Sequence, residues 1–220
     1  MPKPMRPWLD PNQRRHQPRK SKIHTVIRIV GPRDRHYDKS SPLLVNTTSR
    51  SRESWSRGLS PFHLGPVALY ESAGVRQAEN VENAWQYAKV YKRHVGDDGN
   101  PTQEYFDWAR EGWRYRRAVR YPMGKGVLPE YSWWGGEQLS YIEARKRIYV
   151  PLYTKAVINT RTFEKLREFY ETNGEMWLWD FDGYDHVELG MTLKEVLNDP
   201  TRKMGHAFVL AMILGAMGKR

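Results

Sequence analysis

Three polar side chains recur at helical spacing in the segment from residue 79 to residue 91. Glu82, Gln86 and Lys89 occupy positions i, i+4 and i+7 of a helix predicted to extend to about Arg93. They place an acid, an amide and an amine along one stripe, which indicates a site for acid–base chemistry on a polar ligand. A solvated helix face would show the same pattern. The residues predicted to face the core from this helix are Val81, Trp85 and Ala88.

A second set of acidic side chains follows a strand predicted at residues 176–181. Asp180, Asp182 and Asp185, with His186, come at the point where side chains reach a pocket beside a sheet. Their spacing is not that of an EF-hand, which needs Gly at the sixth position of the loop. Two interpretations stay open, namely a turn whose aspartates accept local amides and a pair of active-site carboxylates.

Positive charge is concentrated in the first quarter of the chain. The net charge is +11, and residues 1–57 carry 14 Lys or Arg against 4 Asp or Glu, a balance of +10. Residues 1–22 combine five prolines with seven basic residues and one acidic residue, so they cannot bury enough apolar surface to fix a structure. A flexible basic arm of this kind suits DNA or RNA, because Lys and Arg release counterions from phosphates. A solubilising tail is the alternative.

A second basic segment is interleaved with aromatic residues between positions 113 and 133. Its guanidinium groups could hold phosphates while its rings stack on bases, although a solvated helix face explains the basic residues equally well. The basic members are Arg114, Arg116, Arg117, Arg120 and Lys125, and the aromatic members are Trp113, Tyr115, Tyr121 and Trp133.

Composition excludes several classes of function. The chain has no cysteine, which excludes disulfides, thiolate catalysis and zinc held by thiolates. Its seven histidines never fall at helical ligand spacing, so neither a metal site nor a cofactor is expected. No stretch approaches the roughly 20 apolar residues of a membrane span, and the first residues lack a secretory signal. We therefore expect a cytoplasmic, nuclear or viral protein without a membrane partner.

The helices and strands that must position these residues predict an α+β domain over residues 23–220. This domain is predominantly α-helical with a few short strands, and the basic arm at residues 1–22 precedes it. β-branched residues indicate strands at 23–30 and 42–48, and Gly, Pro and Ser indicate ordered loops at 50–66 and 120–136. Caps and apolar periodicity indicate the helices. Helices are predicted from Asn80, from Asn100–Pro101, from Ser140 with a kink at Pro151, from Thr160 to Thr172, from Thr192, and from Gly205 to Met217.

Two of these segments resemble motifs of the NADAR superfamily, whose members are small α-rich domains associated with NAD and ADP-ribose. Leu59-Ser60-Pro61-Phe62 is similar to the family's Leu-Ser-Asn-Phe loop, and Glu82-Asn83-Ala84-Trp85-Gln86-Tyr87-Ala88-Lys89 is similar to its Glu-His-x-x-Gln-Ala-x-Lys helix. Asn83 replaces the family's His and Pro61 replaces its Asn. The family's Trp-Gly step after the acidic strand is not found. The resemblance covers roughly residues 45–214.

The resemblance implies a hydrolase that cleaves an N-glycosidic bond. Its substrate would be a nucleotide, an ADP-ribose derivative, a riboflavin-pathway intermediate or a modified nucleobase, including one within nucleic acid. Glu82 would be the first catalytic carboxylate and Asp182 or Asp185 the second. The residues expected to bind phosphate are Lys89, Arg120 and Lys125, those expected to stack on a base are Trp133 or Trp134, and the other ligand-binding candidates are Ser60, Phe62 and Gln86.

Two other kinds of function remain open at this point. In one, the chain is a non-catalytic nucleic-acid-binding protein, such as a viral one, that uses the basic arm and has a vestigial pocket. In the other, it is a structural protein of a larger assembly.

Overall fold

The structure is a computed structural model that describes residues 26–217, so the arm predicted at residues 1–22 lies outside the described part. The described residues form one domain in which helices and short strands are mixed, as the sequence predicts. The strands are β1 (Val26–Val30), β2 (Leu44–Asn46), β3 (Val67–Ala68), β4 (Gln77–Ala78), β5 (Lys89–Val90), β6 (Tyr131–Trp134), β7 (Glu137–Leu139) and β8 (Glu175–Trp179). The α-helices are α1 (Ser54–Arg57), α2 (Val81–Gln86), α3 (Gln103–Arg114), α4 (Tyr141–Ala144), α5 (Val150–Val157), α6 (Arg161–Asn173), α7 (Leu193–Asn198) and α8 (His206–Met217).

A parallel sheet of three strands has β8 at its centre, between β1 and β2. Arg28 of β1 lies opposite Trp177, and Val45 of β2 lies opposite Leu178. Because the strands are parallel, their carboxyl ends meet at one edge, where open sheets of this kind bind ligands. The segments that follow β1, β2 and β8 are therefore brought together at that edge.

The first site helix is much shorter than its sequence pattern predicts. A helix to about Arg93 is wrong, because α2 ends at Gln86 and Lys89 belongs to strand β5. The backbone after Tyr87 pairs with β6, where the Trp133 N–H donates to the Ala88 carbonyl at 2.7 Å. Strand pairing across more than 40 residues thus overrides local helical periodicity.

Two further boundaries differ from the sequence prediction. Helix α3 begins at Gln103 with Thr102 as its N-cap, and not at Asn100–Pro101. The segment 120–136, predicted to be a loop throughout, contains strand β6. The aromatic residues of β6 suit a strand, but the Gly and Pro residues of the segment indicate a loop, and pairing with β5 and β7 decides the outcome.

Helix termini are the most accurately predicted features. Ser140 and Thr192 each form a capping box with the glutamate three residues later, as predicted. Asn80 caps α2 by accepting the Asn83 N–H at 2.8 Å. Gly174 ends α6 in the left-handed conformation, with φ of 70°.

The kink predicted at Pro151 takes the form of a π-helical turn at Arg145–Tyr149, between α4 and α5. Proline has no N–H to give to an α-helical ladder, and a wider turn just before it accommodates the loss. This turn brings Tyr149 to the cleft described below, while the buried Arg145 donates to the carbonyls of Val196 and Asp199.

Helix α8 supplies the centre of the core. It is apolar on all sides, its residues from His206 to Ala211 are buried, and it packs against α5 and β1. Burial of this much apolar surface fixes the position of its first turn at the edge of the parallel sheet. Within residues 26–217, no helix is both long enough and apolar enough to cross a membrane.

Candidate active site

A cleft of about 490 Å³ opens at the carboxyl edge of the parallel sheet. Its volume lies in the range of small-molecule sites, and charged, polar and aromatic side chains share its walls. The lining residues are Thr48, Ser49, Arg50, Ser60, Pro61, Phe62, Glu82, Trp85, Gln86, Arg120, Tyr121, Lys125, Tyr149, Asp180, Phe181, Asp182, Met204, Gly205 and His206.

Helix α2 presents a buried carboxylate to this cleft. Glu82 is only 6% exposed, and its Oε1 accepts from Nε2 of Gln86 at 2.9 Å. Burial raises the pKa of Glu82, and the hydrogen bond from Gln86 and the charges of Lys89 and Arg120 only partly oppose this. A carboxyl group with a raised pKa is suited to exchange a proton near neutral pH.

Lys89 fixes the orientation of the Gln86 amide. Its Nζ donates to Oε1 of Gln86 at 2.7 Å and lies 4.9 Å from the Trp85 ring centroid. Burial lowers the pKa of Lys89 to about 8, despite the opposing charge of Glu82. Lys89 does not itself line the cleft, so it acts on the cleft through Gln86.

Two other residues that line the cleft, Asp180 and His206, form a buried ion pair. Nδ1 of His206 lies 3.0 Å from Oδ2 of Asp180, and Nε2 lies 2.8 Å from the Thr47 carbonyl oxygen. Since both ring nitrogens face oxygen acceptors, the ring is protonated on both. Burial by itself lowers the pKa of His206, but the Asp180 carboxylate and the Thr47 carbonyl outweigh it and raise the pKa.

Asp180 is fully engaged by its neighbours. It accepts from the backbone N–H of Ala207 at 3.1 Å, in the first turn of α8, and from the N–H of Asp182 at 3.2 Å. Burial alone would raise the pKa of Asp180, but the charge of His206 and these hydrogen bonds hold it at about 2. A Cβ at Gly205 would lie 2.1 Å from Oδ2 of Asp180, so the close approach requires glycine at that position.

Asp182 and Arg120 form a second, more accessible ion pair at 2.6 Å. The Asp182 side chain is 27% exposed and the Arg120 side chain is 31% exposed. Both line the cleft, next to the rings of Phe181 and Tyr121.

Asn83 holds the segment that leads to Arg120. Its side-chain amide donates to the Tyr115 carbonyl at 2.7 Å and to the Arg117 carbonyl at 3.2 Å, and its oxygen accepts the Val119 N–H at 2.8 Å. Asn83 is completely buried. Asn83 is therefore a clamp on the loop before Arg120.

The segment 50–66, predicted to be an irregular loop throughout, contains the short helix α1, and its residues around Ser60 form another side of the cleft. Leu59 is fully buried, and its carbonyl accepts from the Tyr153 hydroxyl at 2.6 Å. The hydroxyl of Ser60 accepts the Phe62 N–H at 3.3 Å. These contacts hold Ser60 and Phe62 at the cleft.

The structure brings together seven of the eleven residues expected to act in catalysis or ligand binding. These seven are Ser60, Phe62, Glu82, Gln86, Arg120, Lys125 and Asp182, and Asp180 and Tyr121, which the sequence patterns also indicate, line the same cleft.

Four other candidates do not line the cleft. Besides Lys89, these are Asp185, Trp133 and Trp134. Asp185 accepts the N–H groups of Val187 and Glu188 and pairs with Arg28 at 2.7 Å, which fits the local-turn interpretation of that aspartate. The Trp133 ring packs on Phe106 and the Trp134 ring on Tyr70, because both tryptophans belong to β6 and face other parts of the core.

The interleaved basic and aromatic set is also divided by the fold. Trp113 is buried in the core, so it cannot stack on a base. Arg120, Tyr121 and Lys125 lie at the cleft, whereas Arg114, Arg116 and Arg117 are exposed and do not line it.

Sequence reasoning missed the partner of Asp180 and several other cleft residues. The one local signal for His206 is its place between Gly205 and an apolar helix, which nothing in the sequence connects to an aspartate 26 residues earlier. Other lining residues that were not predicted are Arg50, Trp85, Tyr149 and Phe181. Among residues 26–217, no three His, Asp or Glu side chains cluster as ligands for a metal ion.

Comparison with known protein families yields a match. The model of the family described as a family of unknown function (DUF6939) matches residues 34–209, more than half of the chain. That segment contains every residue that lines the cleft. No curated protein matches the chain.

Proposed function

The chain belongs to the DUF6939 family, and we propose that it is an N-glycosidase that hydrolyses the bond between a ribose and a nitrogen base. Its substrates would be nucleotides, ADP-ribose derivatives or nucleotides with a modified base. The resemblance of the segments at residues 59–62 and 82–89 to the NADAR pattern supports the same class of reaction.

The observation that carries the proposal is the pair of carboxylates in one cleft. Glu82 is buried with a raised pKa, whereas Asp182 is partly exposed and paired with a guanidinium group. Breaking a C1′–N bond builds positive charge on the sugar, and carboxylates beside the ring lower the free energy of that transition state. Two carboxyl groups in unlike environments can divide the tasks of proton transfer and charge stabilisation.

In the proposed step, a water oxygen forms a bond to C1′ while the C1′–N bond breaks. The electron pair of that bond goes to the leaving nitrogen. A neutral purine or pyrimidine takes up one proton from solvent at that nitrogen, whereas a nicotinamide ring, which is cationic before cleavage, takes up none. Glu82 accepts the proton that the water loses, and Asp182 faces the positive charge on the sugar. The products are a sugar with a hydroxyl group at C1′ and a free neutral base.

The remaining lining residues suit the other parts of a nucleotide. Arg120 and Lys125 supply positive charge for a phosphate. Phe62 and Trp85 supply aromatic surface for the base. The hydroxyl of Ser60 is placed to bind the sugar or the phosphate.

The variant Glu82→Gln tests this proposal. We expect it to keep the fold and to lower the rate of base release by about 10²- to 10⁴-fold, the usual contribution of a general acid or base. The measurement is chromatography of the base released from NAD, ADP-ribose and nucleoside monophosphates, with circular dichroism as a check of the fold.

Glu79→Gln is the matched control, because Glu79 is exposed, comes three residues earlier and does not line the cleft. It should release base at the wild-type rate. Equal rates for Glu82→Gln and wild type would remove Glu82 from the mechanism. A wild-type protein that cleaves none of these compounds and gains no thermal stability from any of them would remove the proposal.

A further inference from the structure

Five side chains at the mouth of the cleft form a row in which cations and aromatic rings alternate. Its members, in order, are Arg50, Phe181, Arg120, Tyr121 and Lys203. The guanidinium carbons of Arg50 and Arg120 lie 5.4 and 5.8 Å from the Phe181 ring centroid. On the other side, Arg120 lies 5.4 Å and Nζ of Lys203 6.0 Å from the Tyr121 centroid. All except Lys203 also line the cleft.

The row is assembled from parts of the chain that are distant in sequence. Arg50 comes from the loop after β2, Phe181 from the turn after β8, and Lys203 from the segment before α8. A basic run in a sequence can be the solvated face of a single helix. That explanation does not apply here, because the members of the row come from separate segments of the chain.

Much of the row is accessible from outside. Arg50, Tyr121 and Lys203 are exposed, with Tyr121 at 40%, and Arg120 is partly exposed. Among the described residues, neither Arg50 nor Lys203 has an acidic side chain within ion-pair distance. Their charges are therefore available to an anionic partner.

The loop after Tyr121 keeps this side of the row in place. The Gly124 N–H donates to the Tyr121 carbonyl at 3.0 Å, and Gly124 and Gly126 have φ of 98° and 92°, which glycine tolerates best. Between them, Lys125 lines the cleft and adds a further cation.

We infer that this row binds the nucleotides that flank the one held in the cleft, so that the substrate is a nucleotide within single-stranded nucleic acid. Arginine and lysine hold the phosphates of such a strand, and aromatic rings stack on its bases whatever their sequence. The inference rests on the proposed function for the chemistry inside the cleft, but binding to the row does not require turnover.

Aromatic rings distinguish this partner from other polyanions. A sulfated polysaccharide or an acidic peptide would use the cations of the row, but neither has bases to stack on Phe181 and Tyr121. Removing a ring should therefore weaken binding of a nucleic acid strand and leave binding of heparin unchanged.

The test is fluorescence anisotropy of the full chain with a labelled 12-nucleotide single strand, as DNA and as RNA of the same sequence. Tyr121→Ala should raise Kd by about 5- to 150-fold, which corresponds to about 1–3 kcal/mol of base stacking. Tyr121→Trp keeps an aromatic ring at this position, so it should bind the strand as wild type does. Arg50→Gln should also raise Kd and lower the slope of log Kd against log salt by about 0.7, the value for one phosphate contact on a single strand.

Lys165→Gln is the matched control, because Lys165 is exposed on α6, a helix that supplies no residue to the cleft. It should leave strand affinity unchanged. The inference is overturned if Tyr121→Ala binds the strand as wild type does, or if it loses heparin affinity to the same extent. If the wild-type protein releases no base while both it and Glu82→Gln bind the strand, the glycosidase proposal is rejected. The inference that the row binds a strand is then kept.

Discussion

Two of the segments that line the cleft each bury a carboxylate, and the pKa values of these two carboxylates are shifted in opposite directions. Glu82 on α2 is bonded by one neutral amide, and burial raises its pKa. Asp180 after β8 is equally buried, yet an imidazolium and two backbone N–H groups hold its pKa at about 2. Burial alone therefore does not determine the protonation of an acid, since the number and charge of its partners decide the outcome.

This difference separates a structural task from a chemical one. Asp180 stays ionised at every pH at which the protein would work, and it joins the end of the sheet to the first turn of α8. Glu82 lacks such partners and is the carboxyl group that can gain or lose a proton during a reaction. Three further predictions test this contrast.

The largest expected effect comes from Asp180→Asn. The variant leaves the His206 imidazolium buried without its counter-charge, which typically costs about 3–5 kcal/mol in the free energy of unfolding. Urea unfolding followed by circular dichroism measures this loss. Asp182→Asn is the matched control, because its ion pair is partly exposed and is worth at most about 1 kcal/mol. Equal losses in the two variants would contradict the structural task of Asp180.

A smaller effect is expected from Asn83→Ala, which tests the side of the cleft held by neutral hydrogen bonds. The variant loses three hydrogen bonds to the segment before Arg120, and we expect it to cost about 2–3 kcal/mol in unfolding free energy. Asn83→Asp keeps the acceptor for Val119 but turns a carboxyl oxygen towards the carbonyls of Tyr115 and Arg117, so it should lose at least as much stability. The control is Asn173→Ala, since Asn173 is exposed at the end of α6. A loss no larger than that of the control would show that Asn83 is not a clamp.

The smallest effect is the pH dependence of stability, in which the two acids should differ in sign. The pKa of Glu82 is raised on folding, so the folded state binds more protons and unfolding free energy falls as pH rises from about 4.5 through the folded pKa. The pKa of Asp180 is lowered, so its contribution is present above 3.8 and is lost as pH falls through about 2.

Urea unfolding at several pH values between 4.5 and 8 measures the contribution of Glu82. The stability of wild type relative to Glu82→Gln should fall as pH rises over this range, because the folded state loses the extra proton that its raised pKa lets it hold. A difference that stays constant, or that grows with pH, would mean that Glu82 has no raised pKa.

Features set by neighbouring residues were predictable from the sequence. The capping boxes at Ser140 and Thr192 and the glycine after α6 depend on contacts within a few residues, and the structure has each of them. Three residues of the cleft were also named in advance, Glu82 and Gln86 by their spacing on a predicted helix and Ser60 by the resemblance of its loop to a known motif.

Features that depend on distant pairing could not be predicted. Helix α2 stops early because residues near Lys89 join a strand that begins at Tyr131. The bond between Asp180 and His206 exists only once α8 is packed against the parallel sheet. Trp133 and Trp134 are suited to bind a base by residue type alone. In strand β6, however, their rings pack on Phe106 and Tyr70 and do not line the cleft.

The pairing of β1 with β8 has a consequence for where the folding unit ends. Strand β1 comes before residue 34, where the family match starts, yet all five of its residues pair with the central strand of the parallel sheet. A fragment cut at residues 34 and 209 would leave one side of β8 without a neighbour and remove more than half of α8. Unpaired strand edges promote aggregation, so the unit that folds as a whole is longer at both ends than the matched segment.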